Sequence, residues 1–167
     1  MENKSITRIY IGKMTTKRYH HKKRKGGSTR KNIKSSSGLQ GFQSEIARTF
    51  LEMLLMVKLF HWKTHSYATH KATDELYTKL NGHIDSFIEI LLGKTESRIN
   101  LMNHKNIRLI DLPSQEGLKK EIEAFKGYLV SLDDNKALKT MSNSDLYNIR
   151  DEILGDLNQF LYLLTFE

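Results

Sequence analysis

Leu76, Leu80, Ile84, Phe87 and Leu91 recur every three or four positions, with no proline among them. At 100° per residue, with His70 set to 0°, they fall between about −40° and −120° on a helical wheel. That is one stripe, wide enough to bury against a core, and it predicts an α-helix rather than a strand, whose faces alternate every second residue. Ser66 is placed to cap its start. Leu92 is its expected limit, Gly93 an interruption, and residues 94–100 a helical continuation.

The same periodicity appears three more times. Residues 40–62 are apolar almost all round, with Leu51, Met53, Leu54, Leu55, Met56, Val57, Leu59 and Phe60, so that helix is expected to be covered on more than one side. Leu118, Ile122, Phe125, Leu129 and Leu132 form a third stripe, opened by Ser114 after Pro113, the only proline. Leu146, Ile149, Ile153, Leu157, Phe160 and Leu164 form a fourth, with Ser142 and Asp145 spaced like a capping box. Residues 104–112 predict an irregular crossing. Four amphipathic helices with one longer connection between the second and third predict an all-α, ferritin-like four-helix bundle over residues 39–167.

Charge divides the chain unevenly. Residues 1–38 hold 12 Lys and Arg against one acid, Glu2, whereas the rest holds 15 against 18. The whole net charge of +8 therefore comes from the first segment. Having no apolar periodicity, residues 1–38 are expected to be a disordered basic tail, with residues 35–38 as the linker. Lys17, Arg18, Lys22, Lys23, Arg24, Lys25, Arg30, Lys31 and Lys34 are the residues expected to meet DNA or another polyanion, by counterion release and without base reading. The same composition serves nuclear localisation or docks acidic proteins and anionic surfaces. Ile6, Ile9, Tyr10 and Ile11 make a short apolar patch suited to a strand or a docking peptide.

Cysteine is absent, which excludes disulfides and thiolate metal sites. No apolar run reaches the length of a membrane span, and no signal-peptide core is visible. The expectation is an intracellular soluble protein without a membrane partner, and the tail suits a nucleoid, nucleus or virion.

The second helix also carries chemistry. On its wheel Asp74, Asp85 and Glu89 lie at about 40°, 60° and 100° from His70, all away from the core stripe. Tyr77, Ile88 and Leu92 interleave with them, and large apolar residues among carboxylates suit a face that meets a second subunit. His61 ends the preceding helix, so an antiparallel hairpin makes it a neighbour of His70. Asp85 lies about 22 Å further along the axis than His70, beyond reach within one chain. A two-fold dimer brings one chain's hairpin end to the other's helix middle. The bland alternative is a packed helix-end histidine and a solvated acidic face.

The His61-Trp62 pair followed by His70, Asp74, Asp85 and Glu89 resembles the Dps mini-ferritins, although the interval from His61 to His70 is shorter than is usual there. The run from His61 to Ala72, H-W-K-T-H-S-Y-A-T-H-K-A, is also similar to small helical proteins of large DNA viruses and phages. The Dps resemblance implies a homo-oligomer in which His61 and His70 of one chain and Asp85 and Glu89 of its mate bind and oxidise iron, with Asp74 as a ligand or its support. The nitrogen and oxygen donors suit iron or zinc alike. No histidine has a glutamate three residues before it, which disfavours the intrachain Glu-x-x-His type of di-iron site. The competing expectation is a non-enzymatic structural or DNA-packaging protein that uses the bundle only to oligomerise.

Overall fold

The structure, a computed structural model, describes residues 30–166 except Lys105, with side chains from Gly38 onward. Among the described residues the regular elements are helical: α1 (Arg30–Lys63), α2 (Tyr67–Thr95), α3 (Gln115–Ser131) and α4 (Ser144–Leu163), with two 3₁₀ turns, Leu132–Asp134 and Leu138–Thr140, before α4. None of these helices is long and apolar enough to cross a membrane.

The α2 helix is the central element, packing against both α1 and α4, while α3 packs on α4 and reaches α1 through Tyr128. All the core stripes read from the sequence are used. Leu76, Leu80, Ile84, Phe87 and Leu91 are buried, as are Leu118, Ile122, Phe125, Leu129 and Leu132. In α4 the buried set is Leu146, Ile153, Leu157 and Phe160, with Leu164 just beyond, while Ile149 is only partly covered. Arg150 is buried one position on, its guanidinium reaching Asp133 at 2.6 Å and Asp151 at 2.8 Å and lying over the Tyr147 ring. Phe50 of α1 meets Phe87 of α2 edge to face, centroids 5.4 Å apart, which ties the hairpin together at mid-height.

Polar pairs give the directions of the helices. Gln43 bonds Thr95, whereas His61 bonds His70, so α1 and α2 are antiparallel. Lys79 meets Gln159 and Lys94 meets Asp145, so α2 and α4 are antiparallel too. Residues 96–114 must therefore travel the length of the bundle to start α3. They run along α1, where the Arg108 amide reaches Glu52 and Lys63 pairs with Asp111. This is the one longer crossover that the four stripes and the single proline predict.

Several boundaries differ from expectation. The first helix begins at Arg30, not after residue 38, and passes straight through the predicted linker. Three serines and a glycine weaken a helix by a few tenths to about 1 kcal/mol each, and a docked helix outweighs this once Phe42 and Ile46 are buried. Gly93 does not interrupt α2. The helix ends two residues later, where Glu96 takes a left-handed backbone (φ 48°), its amide returning to Gly93 O and that of Ser97 to Leu92 O. Residues 96–100 do not continue the helix, because Gln43 holds Thr95 and Ser97 at 2.8 Å and turns the chain out. Ser66 and Ser114 cap α2 and α3 as expected, each accepting an amide at 3.2 Å. The cap position of α4 is Asn143 rather than Ser142, and its side chain donates to Leu138 O instead of capping.

Tyr128 of α3 leans on α1 beside Glu45, Arg48 and Thr49, its hydroxyl making no well-aligned hydrogen bond. Burial, with help from the Glu45 charge, pushes the phenol up to about 12. Because the folded value lies above the ordinary one near 10, the fold favours the neutral phenol. Its stabilisation is complete below pH 10 and is lost as pH rises towards 12. Between those limits the protein is expected to lose about 2 kcal/mol more stability than Tyr128→Phe does. Urea titrations of both proteins across that range check this, and parallel pH profiles would refute it.

Candidate functional site

The α1–α2 hairpin end is built by two histidines that hold each other. His61, at the last turn of α1, is buried, and its Nδ1 lies 3.0 Å from His70 O. His70, in the first turn of α2, returns the contact, with Nδ1 3.0 Å from His61 O. The rings stack, centroids 3.9 Å apart and planes inclined by 23°. Thr73, fully buried, lies 3.3 Å from His61 Nδ1 and donates to Thr69 O at 2.8 Å. His70 O also accepts from the Thr73 hydroxyl at 3.0 Å. The clasp gives a partner to His61 O, a carbonyl of the last turn of α1, where backbone acceptors have no helical donor.

These contacts decide the tautomers. A carbonyl oxygen only accepts, so each Nδ1 carries the hydrogen and each neutral ring keeps its lone pair on Nε2. A backbone carbonyl on one nitrogen and a free lone pair on the other is how a metal-binding histidine is held. His61 Nε2 stands 3.9 Å from Asp74 Oδ1. That is too far for a hydrogen bond and roughly half an ångström wider than the span of about 3.4 Å that two ligand bonds of about 2.1 Å make at a tetrahedral angle, so a shared ion would draw the two atoms slightly together. Asp74 is half-exposed and lines an open groove of about 570 Å³ between α2 and the end of α4.

The stack limits what the pair can do. Nitrogen lone pairs lie in the ring plane, and these planes are nearly parallel. One ion about 2.1 Å from both nitrogens would lie far out of both planes. As stacked, the two rings could each face a separate ion but could not share one.

Asp85 and Glu89 are exposed on the outer face of α2, away from the hairpin end, so the chain alone does not bring the five candidate ligands together. Among the described residues no group of three or more His, Asp or Glu side chains is disposed to hold a metal ion. The apolar residues of the same face are only partly covered. Tyr77, Ile88 and Leu92 are half-buried, while Leu51 and Leu55 are 37% and 38% exposed and Trp62 is 69% exposed. Coverage of α1 on more than one side, expected from its sequence, is thus incomplete in the single chain.

Two features escaped the sequence reading. Lys58 lies one turn before His61, its Nζ 3.9 Å from Asp74 Oδ1 and 4.6 Å from the Tyr77 ring centre. Its place on the wheel, about 60° from His61, was the available signal. His83 links α2 to α4, with Nδ1 3.2 Å from Glu152 and Nε2 3.1 Å from Asp156. Its two nitrogens face different carboxylates, so it ties helices and does not converge on a metal. Of the basic residues assigned to polyanion binding, Lys17, Arg18, Lys22, Lys23, Arg24 and Lys25 lie outside the described residues, as does the apolar patch at Ile6–Ile11. Arg30, Lys31 and Lys34 fall in the opening turns of α1.

The fold and the clasp define an all-helical four-helix protein with a histidine–carboxylate hairpin end. The chain belongs to DUF5856, a family of unknown function, whose model matches residues 61–164 and so begins at His61 itself. No curated protein and no solved structure matches the chain.

Proposed function

We propose that this protein is a Dps-like, ferritin-like bundle that binds ferrous iron at sites shared between two copies of the chain, and that its basic N-terminal segment binds nucleic acid. The observation that carries the reading is the locked His61 tautomer, whose free Nε2 stands 3.9 Å from Asp74 Oδ1. His70 offers its own lone pair to a neighbouring ion, or supports His61 through the stack. Asp85 and Glu89 of a second copy would complete the oxygen donors, and the half-covered apolar face between them is the surface on which that copy would sit. The full-length crossover between α2 and α3 supports the ferritin-like comparison. Bound ferrous iron would give up electrons to oxygen or peroxide. The chain's part is to hold imidazole and carboxylate donors and to leave a coordination position open.

Anaerobic Fe(II) titration of the full chain tests this beside an Asp85→Asn/Glu89→Gln pair, with sedimentation to read assembly. Saturable binding to a dimer or larger oligomer, weakened at least 10-fold by the pair, is the expected result. Equal binding by both proteins, or a monomer at high concentration, would remove the intersubunit site.

The stacking favours one competing reading, a non-enzymatic scaffold. The reciprocal bonds give both histidines a structural role completed within the chain, and the bundle would then serve only to gather basic segments onto DNA. In that case the carboxylate pair would leave nucleic-acid packing unchanged.

A further inference from the structure

We propose that Lys58 is a built-in counter-cation for Asp74 that competes with a divalent metal ion for the His61–Asp74 gap and sets the affinity of the site. The inference rests on the metal-binding reading above and adds to it what occupies the carboxylate when no ion does.

Asp74 Oδ1 has two nitrogen neighbours at the same 3.9 Å, His61 Nε2 and Lys58 Nζ. The His61 hydrogen is committed to Nδ1 by His70 O, so the neutral ring offers Asp74 a lone pair rather than a charge. Lys58 is then the cation that faces this carboxylate. The Tyr77 ring, 4.6 Å away, also holds the ammonium, so the side chain is positioned rather than free.

An ion bridging His61 Nε2 and Asp74 Oδ1 would lie about 2 Å from that oxygen, and so within a few ångströms of the lysine nitrogen. Two positive centres at that range repel even through water. Metal entry therefore requires Lys58 to leave Asp74, and the site binds more weakly than its donors alone would allow. Lys58 is about a quarter exposed and Asp74 half-exposed, so solvent screens the competition and keeps it moderate. The corresponding gain on removing the charge is roughly tenfold in affinity. Competition also favours doubly charged ions over monovalent ones, since only they outmatch the ammonium at the same oxygen.

Lys58→Met keeps the aliphatic stem against Tyr77 and removes the charge, and Lys58→Arg keeps the charge. Calorimetric titration of the full chain with Zn(II), chosen because it undergoes no redox change, compares both with wild type. The expected result is roughly tenfold tighter binding by Lys58→Met, wild-type affinity for Lys58→Arg, and loss of the gain in Lys58→Met/Asp74→Asn. Saturable wild-type binding with no gain in Lys58→Met would overturn the lysine's role and leave the metal site standing. Binding seen only in Lys58→Met would uphold the competition and overturn the iron-binding function of the native chain. No saturable binding by any variant would overturn both.

Discussion

Affinity of the full chain for a mixed-sequence DNA duplex is expected to fall by about 10³–10⁵ between 50 and 200 mM salt, the dependence of a protein that neutralises six to ten phosphates. Residues 1–29 carry nine Lys and Arg against Glu2 alone, and residues 39–167 are net negative, so the basic segment must supply the contacts. Removing residues 1–29 is expected to flatten the slope of log K against log salt towards zero, leaving at most the contribution of Arg30, Lys31 and Lys34. Fluorescence anisotropy over a salt series measures both slopes. Salt-insensitive binding, or an unchanged slope after truncation, would place the nucleic-acid contact elsewhere or dismiss it. Sequence preference is not expected, because counterion release acts on phosphates and reads no base edges.

Phe87→Ala should cost about 3–5 kcal/mol, from lost transfer free energy together with the cavity it leaves. The side chain is fully buried in the helix that touches both α1 and α4, and it forms the edge-to-face pair with Phe50. A domain of this size has about 5–15 kcal/mol of stability in all, so the variant sits near the edge of folding. Urea unfolding followed by circular dichroism is the measurement, with a lowered midpoint and an unchanged slope as the expected outcome. A loss below about 1 kcal/mol would mean that α2 is not the central element. The Lys58 substitutions, on the partly exposed rim, should shift the same midpoint far less.

Much of the hairpin was legible in advance. The wheel put Leu76 to Leu91 inside and Asp74, Asp85 and Glu89 outside, and the short connection made His61 and His70 neighbours. Both follow from 3.6-residue periodicity alone. Boundaries were less legible, because they depend on partners far along the chain. Gln43 ends α2 through Thr95 and Ser97, more than fifty positions away, and no local rule at Gly93 anticipates it. Arg150 entered the core for a similar reason, Asp133 and Tyr147 being placed to receive it.

The sequence by itself determined four helices, the faces they bury and a strongly basic first segment, since each is a matter of period and composition. Only the tertiary structure decided what the histidines do. Reciprocal bonds to backbone carbonyls fixed both tautomers, stacking set their planes nearly parallel, and Lys58 arrived at Asp74 across the hairpin. Spacing along a chain says which side chains share a face. Which nitrogen keeps its lone pair, and which cation stands at a carboxylate, depends on atoms that meet only after the helices pack.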